Sequence, residues 1–154
     1  MAARREVLAA RGARFATLKS PLTEPLAIVE AERCLSCGGP DAPAPCLLAC
    51  PAEVDVPAFV GAIAKGDPVS AAATIFAENL LGGSCTRVCP TEELCEGACV
   101  LGDAGHGPLE IARLERFATD QALSRGLKFR SPSSPNGMRV AVIGAGPEIG
   151  RAHV

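Results

Sequence analysis

The sequence predicts a mainly α-helical chain, and three observations predict it. Aspartate followed at once or after one residue by proline marks helix starts at Asp55-Val56-Pro57 and Asp67-Pro68. No β-rich run occurs before Met138. Eight cysteines stand in two blocks, Cys34-x2-Cys37-x8-Cys46-x3-Cys50-Pro51 and Cys85-x3-Cys89-Pro90-x4-Cys95-x3-Cys99, so the helices must be organised around whatever those thiols bind.

Taken in order, residues 2–15 read as a surface amphipathic helix in an Ala/Arg-rich stretch. Ser20-Pro21 to Pro25 reads as extended, and Ala27–Glu32 as a short helical turn leading into Cys34. Gly38-Gly39-Pro40-Asp41-Ala42-Pro43-Ala44-Pro45 is a loop, because its prolines and glycines defeat regular structure. Asp55 caps a helix that ends at Gly66, and Asp67 caps the next, which runs to about Leu81 before Gly82-Gly83. Thr91 is placed to cap a short helix from Glu92 to Cys99, and Pro108 opens a longer one ending near Gly126. Residues 1–130 thus form one helical unit, and the turn formers of 131–137 a linker. The period then changes: Met138–Ile143 is a β-rich run followed by Gly144-Ala145-Gly146-Pro147, like the first strand and phosphate turn of a dinucleotide-binding α/β domain. That domain is expected over 138–148, cut short, with Gly144 and Gly146 as its cofactor-binding remnant. Position 149, where the third glycine belongs, is Ile149, and 149–154 reads as a non-native tail.

Composition narrows the function classes. The 154 residues carry a net charge of −2 and no basic patch, which argues against nucleic acid. No apolar run approaches a membrane span. Aromatics are 3% with no Trp or Tyr, so burial per residue is modest and bound metal would act as a staple. Free thiols on this scale point to a reducing cytoplasm.

Three chemistries compete for the cysteines. Disulfides need an oxidising compartment, and the N-terminus has charges throughout and no continuous apolar stretch. Zinc sites usually show paired C-x2-4-C knuckles, often with histidine. Here one x2 pair exists, and neither His106 nor His153 lies within a block. Runs at two- and three-residue spacing with a Cys-Pro step suit iron–sulfur cubes, whose last cysteine often crosses to the other cluster. Iron–sulfur is the leading reading; the alternative is a zinc-stapled interaction module without a redox role.

One carboxylate stands out. On a helical wheel Ile111, Glu115, Ala118 and Ala122 share a row, while Arg113, Arg116 and Asp120 lie opposite. The ±3 and ±4 neighbours of Glu115 are Ile111, Ala112, Ala118 and Thr119, none a cation. Glu115 therefore either meets a metal or sits at the edge of the stripe and reaches water. Counting alone would make Cys85 a ligand and Glu115 a bystander, since eight cysteines already suffice for eight ligand positions.

The cysteine blocks, together with Gly107-Pro108-x2-Ile111-x2-Leu114-Glu115-Arg116-Phe117, form one ordered set. Over residues 26–146 the chain resembles the N-terminal two-cluster domain of dihydropyrimidine dehydrogenase, of its bacterial NAD-dependent flavin subunit, and of the glutamate synthase small subunit. The large subunit of NADH-dependent ferredoxin:NADP oxidoreductase carries a similar domain. The resemblance implies an α-helical ferredoxin-like fold with two [4Fe–4S] clusters, followed by a module for FAD and NAD(P)H. By position it implies that Cys34, Cys37, Cys46 and Cys99 hold one cluster. Cys50, Cys89, Cys95 and a side-chain oxygen from Glu115 would hold the other, leaving Cys85 as a spare thiol. The Cys37–Cys46 gap is longer than is usual in the family. In such proteins electrons pass singly between the flavin and a partner subunit or redox centre, so this chain alone is expected to lack catalytic activity.

Overall fold

The computed structural model describes residues 20–39 and 42–129, together with 134, 137 and 141. Seven helices lie among the described residues: α1 (Glu24–Glu32), α2 (Pro45–Leu48), α3 (Val56–Ala64), α4 (Pro68–Glu78), α5 (Gly82–Val88), α6 (Val100–Asp103) and α7 (Ile111–Ser124). No strand occurs among those residues, only an isolated bridge between Gly39 and Ala42. The helix expected over 2–15 lies outside them, as do Gly144 and Gly146, and Ala141 alone is described of the expected strand.

The helix boundaries follow local chemistry. The Asp55 carboxylate accepts from the Ala58 N–H at 3.0 Å, and that of Asp67 from the Ser70 N–H at 2.9 Å. Both α3 and α7 end in the reciprocal C-terminal hydrogen-bond pattern that a left-handed residue permits. Gly66 (φ +75°) lets Asp67 N–H reach the Ala62 carbonyl at 3.0 Å, and Gly126 (φ +63°) lets Leu127 N–H reach that of Ala122 at 3.1 Å.

Three elements depart from expectation. α1 begins at Glu24, earlier than Ala27, because Pro25 falls in its first turn, where no N–H is needed. α4 stops at Glu78 since the Asn79 side-chain oxygen accepts from the Leu81 N–H at 3.0 Å and turns the chain; α5 then follows where Gly82-Gly83 reads as a break. The stretch from Thr91 to Ala98 is a succession of turns and not a helix. There the Thr91 carbonyl, not its hydroxyl, gathers the N–H groups of Leu94, Glu96 and Gly97 at 3.2, 2.8 and 3.2 Å.

The long helix α7 is the hub, packing against α1, α3, α4 and α5. Its inward stripe, Ile111, Leu114, Phe117, Ala118 and Ala122, meets Phe59, Val60 and Ile63 of α3 and Ala71, Ala72 and Ile75 of α4 in one core cluster. Each fully buried Ile, Leu or Phe contributes about 1.5–3 kcal/mol, and the buried alanines let helix axes approach closely. On the outer face Arg116 pairs with Asp120 at 3.3 Å, as the wheel predicts, and Arg87 of α5 joins the same carboxylate at 2.8 Å.

Candidate metal centres

The cysteines fall into two sets around two adjoining cavities. Cys34, Cys37, Cys46 and Cys99 line the first, of about 30 Å³. Cys34 leaves the end of α1, its N–H bonded to the Ala31 carbonyl at 3.1 Å. Ser36 takes a left-handed backbone (φ +51°) that turns Cys37 back toward Cys34. Cys46 sits on α2, and Cys99 immediately precedes α6. The Leu109 N–H approaches the Cys99 sulfur at 3.4 Å.

The second cavity, about 140 Å³, is lined by Cys50, Cys85, Cys89, Cys95 and Glu115, with Asn79 and Phe59 in its wall. Cys50 follows α2, Cys85 rides on α5, Cys89 closes that helix and Cys95 lies within the 91–98 turns. Glu115 comes from α7, 9% exposed. Among the described residues no hydrogen bond or ion pair is made by its carboxylate, and α5 packs against α7 beside it. Val56 and Ile111 line both cavities, so a single layer of side chains separates them.

Electrostatics divide along the same line. Burial pushes the Cys46 thiol up to about 11, with Cys34 and Cys99 as its charged neighbours. Burial likewise pushes Cys95 up to about 12, with Glu96, Glu115 and Cys50 around it. The Cys34 and Cys89 thiols are raised, first by burial and then by neighbouring thiols. Burial alone raises the Glu115 carboxyl to about 7. Left to themselves such groups resist ionisation; a bound cation supplies the compensating charge.

The donor sets fit a polynuclear group. Among the described residues no three His, Cys, Asp or Glu side chains crowd closely enough for a single ion. A lone zinc needs its four donors about 2.0–2.3 Å from one point. Here thiols line each cavity, and thiolates are the donors that iron–sulfur clusters take.

Two residues escaped the sequence reading. The Asn79 amide nitrogen donates to the Cys85 sulfur at 3.0 Å, and the Glu96 carboxylate accepts from the Ala112 N–H at 2.9 Å, tying the Cys95–Cys99 segment to the start of α7. Asn79 has no recognisable spacing to the cysteine motif, whereas Glu96, sixteen residues before Ala112, is a contact only the fold creates.

A helical scaffold closed around two thiol-lined cavities defines an iron–sulfur domain. The family described as dihydropyrimidine dehydrogenase domain II, 4Fe-4S cluster, matches residues 11–127, and the chain belongs to that family. It is 42% identical over 130 residues to the NAD-dependent dihydropyrimidine dehydrogenase subunit PreT of Escherichia coli strain K12, covering 84% of this chain and 30% of the relative. It is 44% identical over 122 residues to the PreT homolog of Salmonella typhi, covering 79% and 28%. To the glutamate synthase [NADPH] small chain of Escherichia coli strain K12 the identity is 36% over 138 residues, covering 89% and 28%. The chain therefore spans less than a third of the length of these relatives. No helix among the described residues is long and apolar enough to cross a membrane.

Proposed function

We propose that the chain is the electron-transfer domain of an NAD(P)H- and FAD-dependent oxidoreductase. Cys34, Cys37, Cys46 and Cys99 hold one [4Fe–4S] cluster, and Cys50, Cys89, Cys95 and Glu115 the other. The observation that carries the reading is the pair of cavities, one lined by four cysteines and the other by four cysteines and Glu115, with Val56 and Ile111 common to both walls. When bound, such clusters take up and release electrons one at a time. The chain's own residues set the conditions: Val56 and Ile111, 3% and 2% exposed, keep the space between the sites short and dry. The Leu109 N–H at the Cys99 sulfur draws electron density from that ligand, and the Glu115 oxygen gives the second site a harder donor than the first. A flavin and a nicotinamide cofactor belong to the longer protein, with Gly144 and Gly146 at the start of the module that binds them. The electrons pass onward to a catalytic partner subunit or domain, in the reducing cytoplasm where free thiols persist.

Anaerobic reconstitution tests this. About eight irons per chain, with broad visible absorption that bleaches on reduction, are expected. Stoichiometric zinc without iron after anaerobic purification overturns the reading in favour of a structural zinc module.

A further inference from the structure

The second cavity presents five donors where a cube has four corners. Cys50, Cys89 and Cys95 take three; Cys85 and Glu115 remain, both in its wall. Gly82 and Cys85 are three residues apart on α5 and so share a face of that helix. The Glu115 Oε1 lies 3.3 Å from where a β-carbon on Gly82 would stand, which places the carboxylate against the face that carries the Cys85 thiol. Cys89 has both Cys85 and Glu115 among its charged neighbours. The Cys85 sulfur is also held at a fixed place. Asn79 Oδ1 accepts from the Leu81 N–H at 3.0 Å, which orients the amide so that Nδ2 donates to that sulfur at 3.0 Å.

We propose that Cys85 is a reserve ligand for the iron that Glu115 binds. The proposal rests on the two-cluster reading above. Carboxylate and thiol compete for one coordination position, with the Asn79 amide holding the thiol beside it. Exchange breaks one iron–oxygen bond and forms one iron–sulfur bond, and the thiol proton passes to the released carboxylate; no electron moves. The second cluster then survives loss of its oxygen ligand as an all-cysteine cluster, whereas the first cavity offers four cysteines and no fifth donor among its described lining residues.

The test compares iron content and low-temperature EPR of the whole chain with Cys85→Ser, Glu115→Ala and the double variant, all reconstituted anaerobically. Wild type and both single variants are expected to hold about eight irons and the double variant about four. Glu115→Ala alone should change the EPR signal of one reduced cluster, because its ligand set changes. About four irons in Glu115→Ala overturns the proposal, as does about four in Cys85→Ser, which would make Cys85 the resident ligand. Eight irons in the double variant also overturns it, since a third donor would then serve that corner. Fewer than eight in wild type is a failure of the two-cluster reading itself, and the proposal falls with it. Glu115→Val, which fills the buried site with apolar atoms, replaces the alanine arm if far-UV circular dichroism shows that Glu115→Ala folds poorly.

Discussion

A single methyl group on Gly82 measures how tightly α5 is pressed into the molecule. Its β-carbon would stand 2.5 Å from Ile75 Cγ2, 3.3 Å from Glu115 Oε1 and 3.6 Å from Thr119 Cγ2. Carbon atoms rest about 3.5–4.0 Å apart, so α5 and α4 would have to part by roughly 1 Å. Ile75 is fully buried, and its branched Cβ leaves its methyl no free rotation out of the way. Two effects oppose each other. Alanine is the better helix former by about 0.8–1.0 kcal/mol in a helix interior, less at the first helical position that Gly82 occupies. Overpacking a dense core costs about 1–3 kcal/mol. The clash wins, and a net loss of about 1–2 kcal/mol is expected, a fall in apparent Tm of roughly 5 °C.

Anaerobic thermal denaturation followed by circular dichroism reads the loss, and a double-mutant cycle assigns it. Ile75→Ala alone costs about 2–5 kcal/mol but removes the opposing methyl, so Gly82→Ala in that background should be close to neutral. Gly61, inside α3 with nothing within 4 Å of its would-be β-carbon, is the control: Gly61→Ala should raise stability by about 0.5–1 kcal/mol. If Gly82→Ala is as stable as wild type, or if its loss persists undiminished beside Ile75→Ala, the close approach of α5 to α4 is not what the glycine serves.

Gly97→Ala should be more damaging still. Its β-carbon would overlap the Glu92 carbonyl oxygen, a backbone atom that cannot rotate aside, and the turn it distorts carries cysteines of both cavities, so iron content should fall with the Tm. Asp55→Ala should cost about 1 kcal/mol in chemical denaturation by leaving the Ala58 N–H uncapped, whereas Asp55→Ser should keep most of it. Prepared without iron, the chain should lose stability as pH rises. The Glu115 carboxyl, raised from 4.5 to about 7 by burial, binds its proton more tightly folded than unfolded. Its contribution is full below the unfolded value and is lost through the folded one, about 3 kcal/mol in all. Denaturant midpoints at pH 5 and pH 8 should show this loss, and Glu115→Gln should remove it.

What the sequence made legible was whatever local chemistry decides. Asp55 and Asp67 announce their helices because a capping carboxylate needs only its own next few residues, and Gly66 and Gly126 end theirs because a left-handed C-terminus is a local conformation. The buried side of α7 followed from period alone. The errors lie where distant contacts outweigh local preference. Gly82-Gly83 reads as a breaker, yet helix forms there because close packing against Ile75 demands a residue without a side chain. Glu92–Cys99 reads as a helix, yet the Thr91 carbonyl folds it into turns that send Cys95 and Cys99 to different cavities. Wheel geometry left Glu115 undecided between metal and water because exposure at the edge of a stripe depends on the helix packed across it, here α5.

The spacing of the cysteines acquires a meaning from this placement. Cys34 and Cys37, with two residues between them, line the same cavity, as do Cys89 and Cys95. The x3 pair that closes each block, Cys46–Cys50 and Cys95–Cys99, divides instead, one thiol to each cavity, whereas the x3 pair that opens the second block, Cys85–Cys89, stays within one. The short spacings are therefore of two kinds, one gathering donors and one bridging sites. Each block contributes to both cavities, so neither site can form from one block alone. In a chain with few aromatics, this crossing couples the loops after α2 to the turns before α6 across the core, as a disulfide would in an oxidising compartment. Loss of either site should therefore loosen both blocks, because each block supplies donors to both cavities.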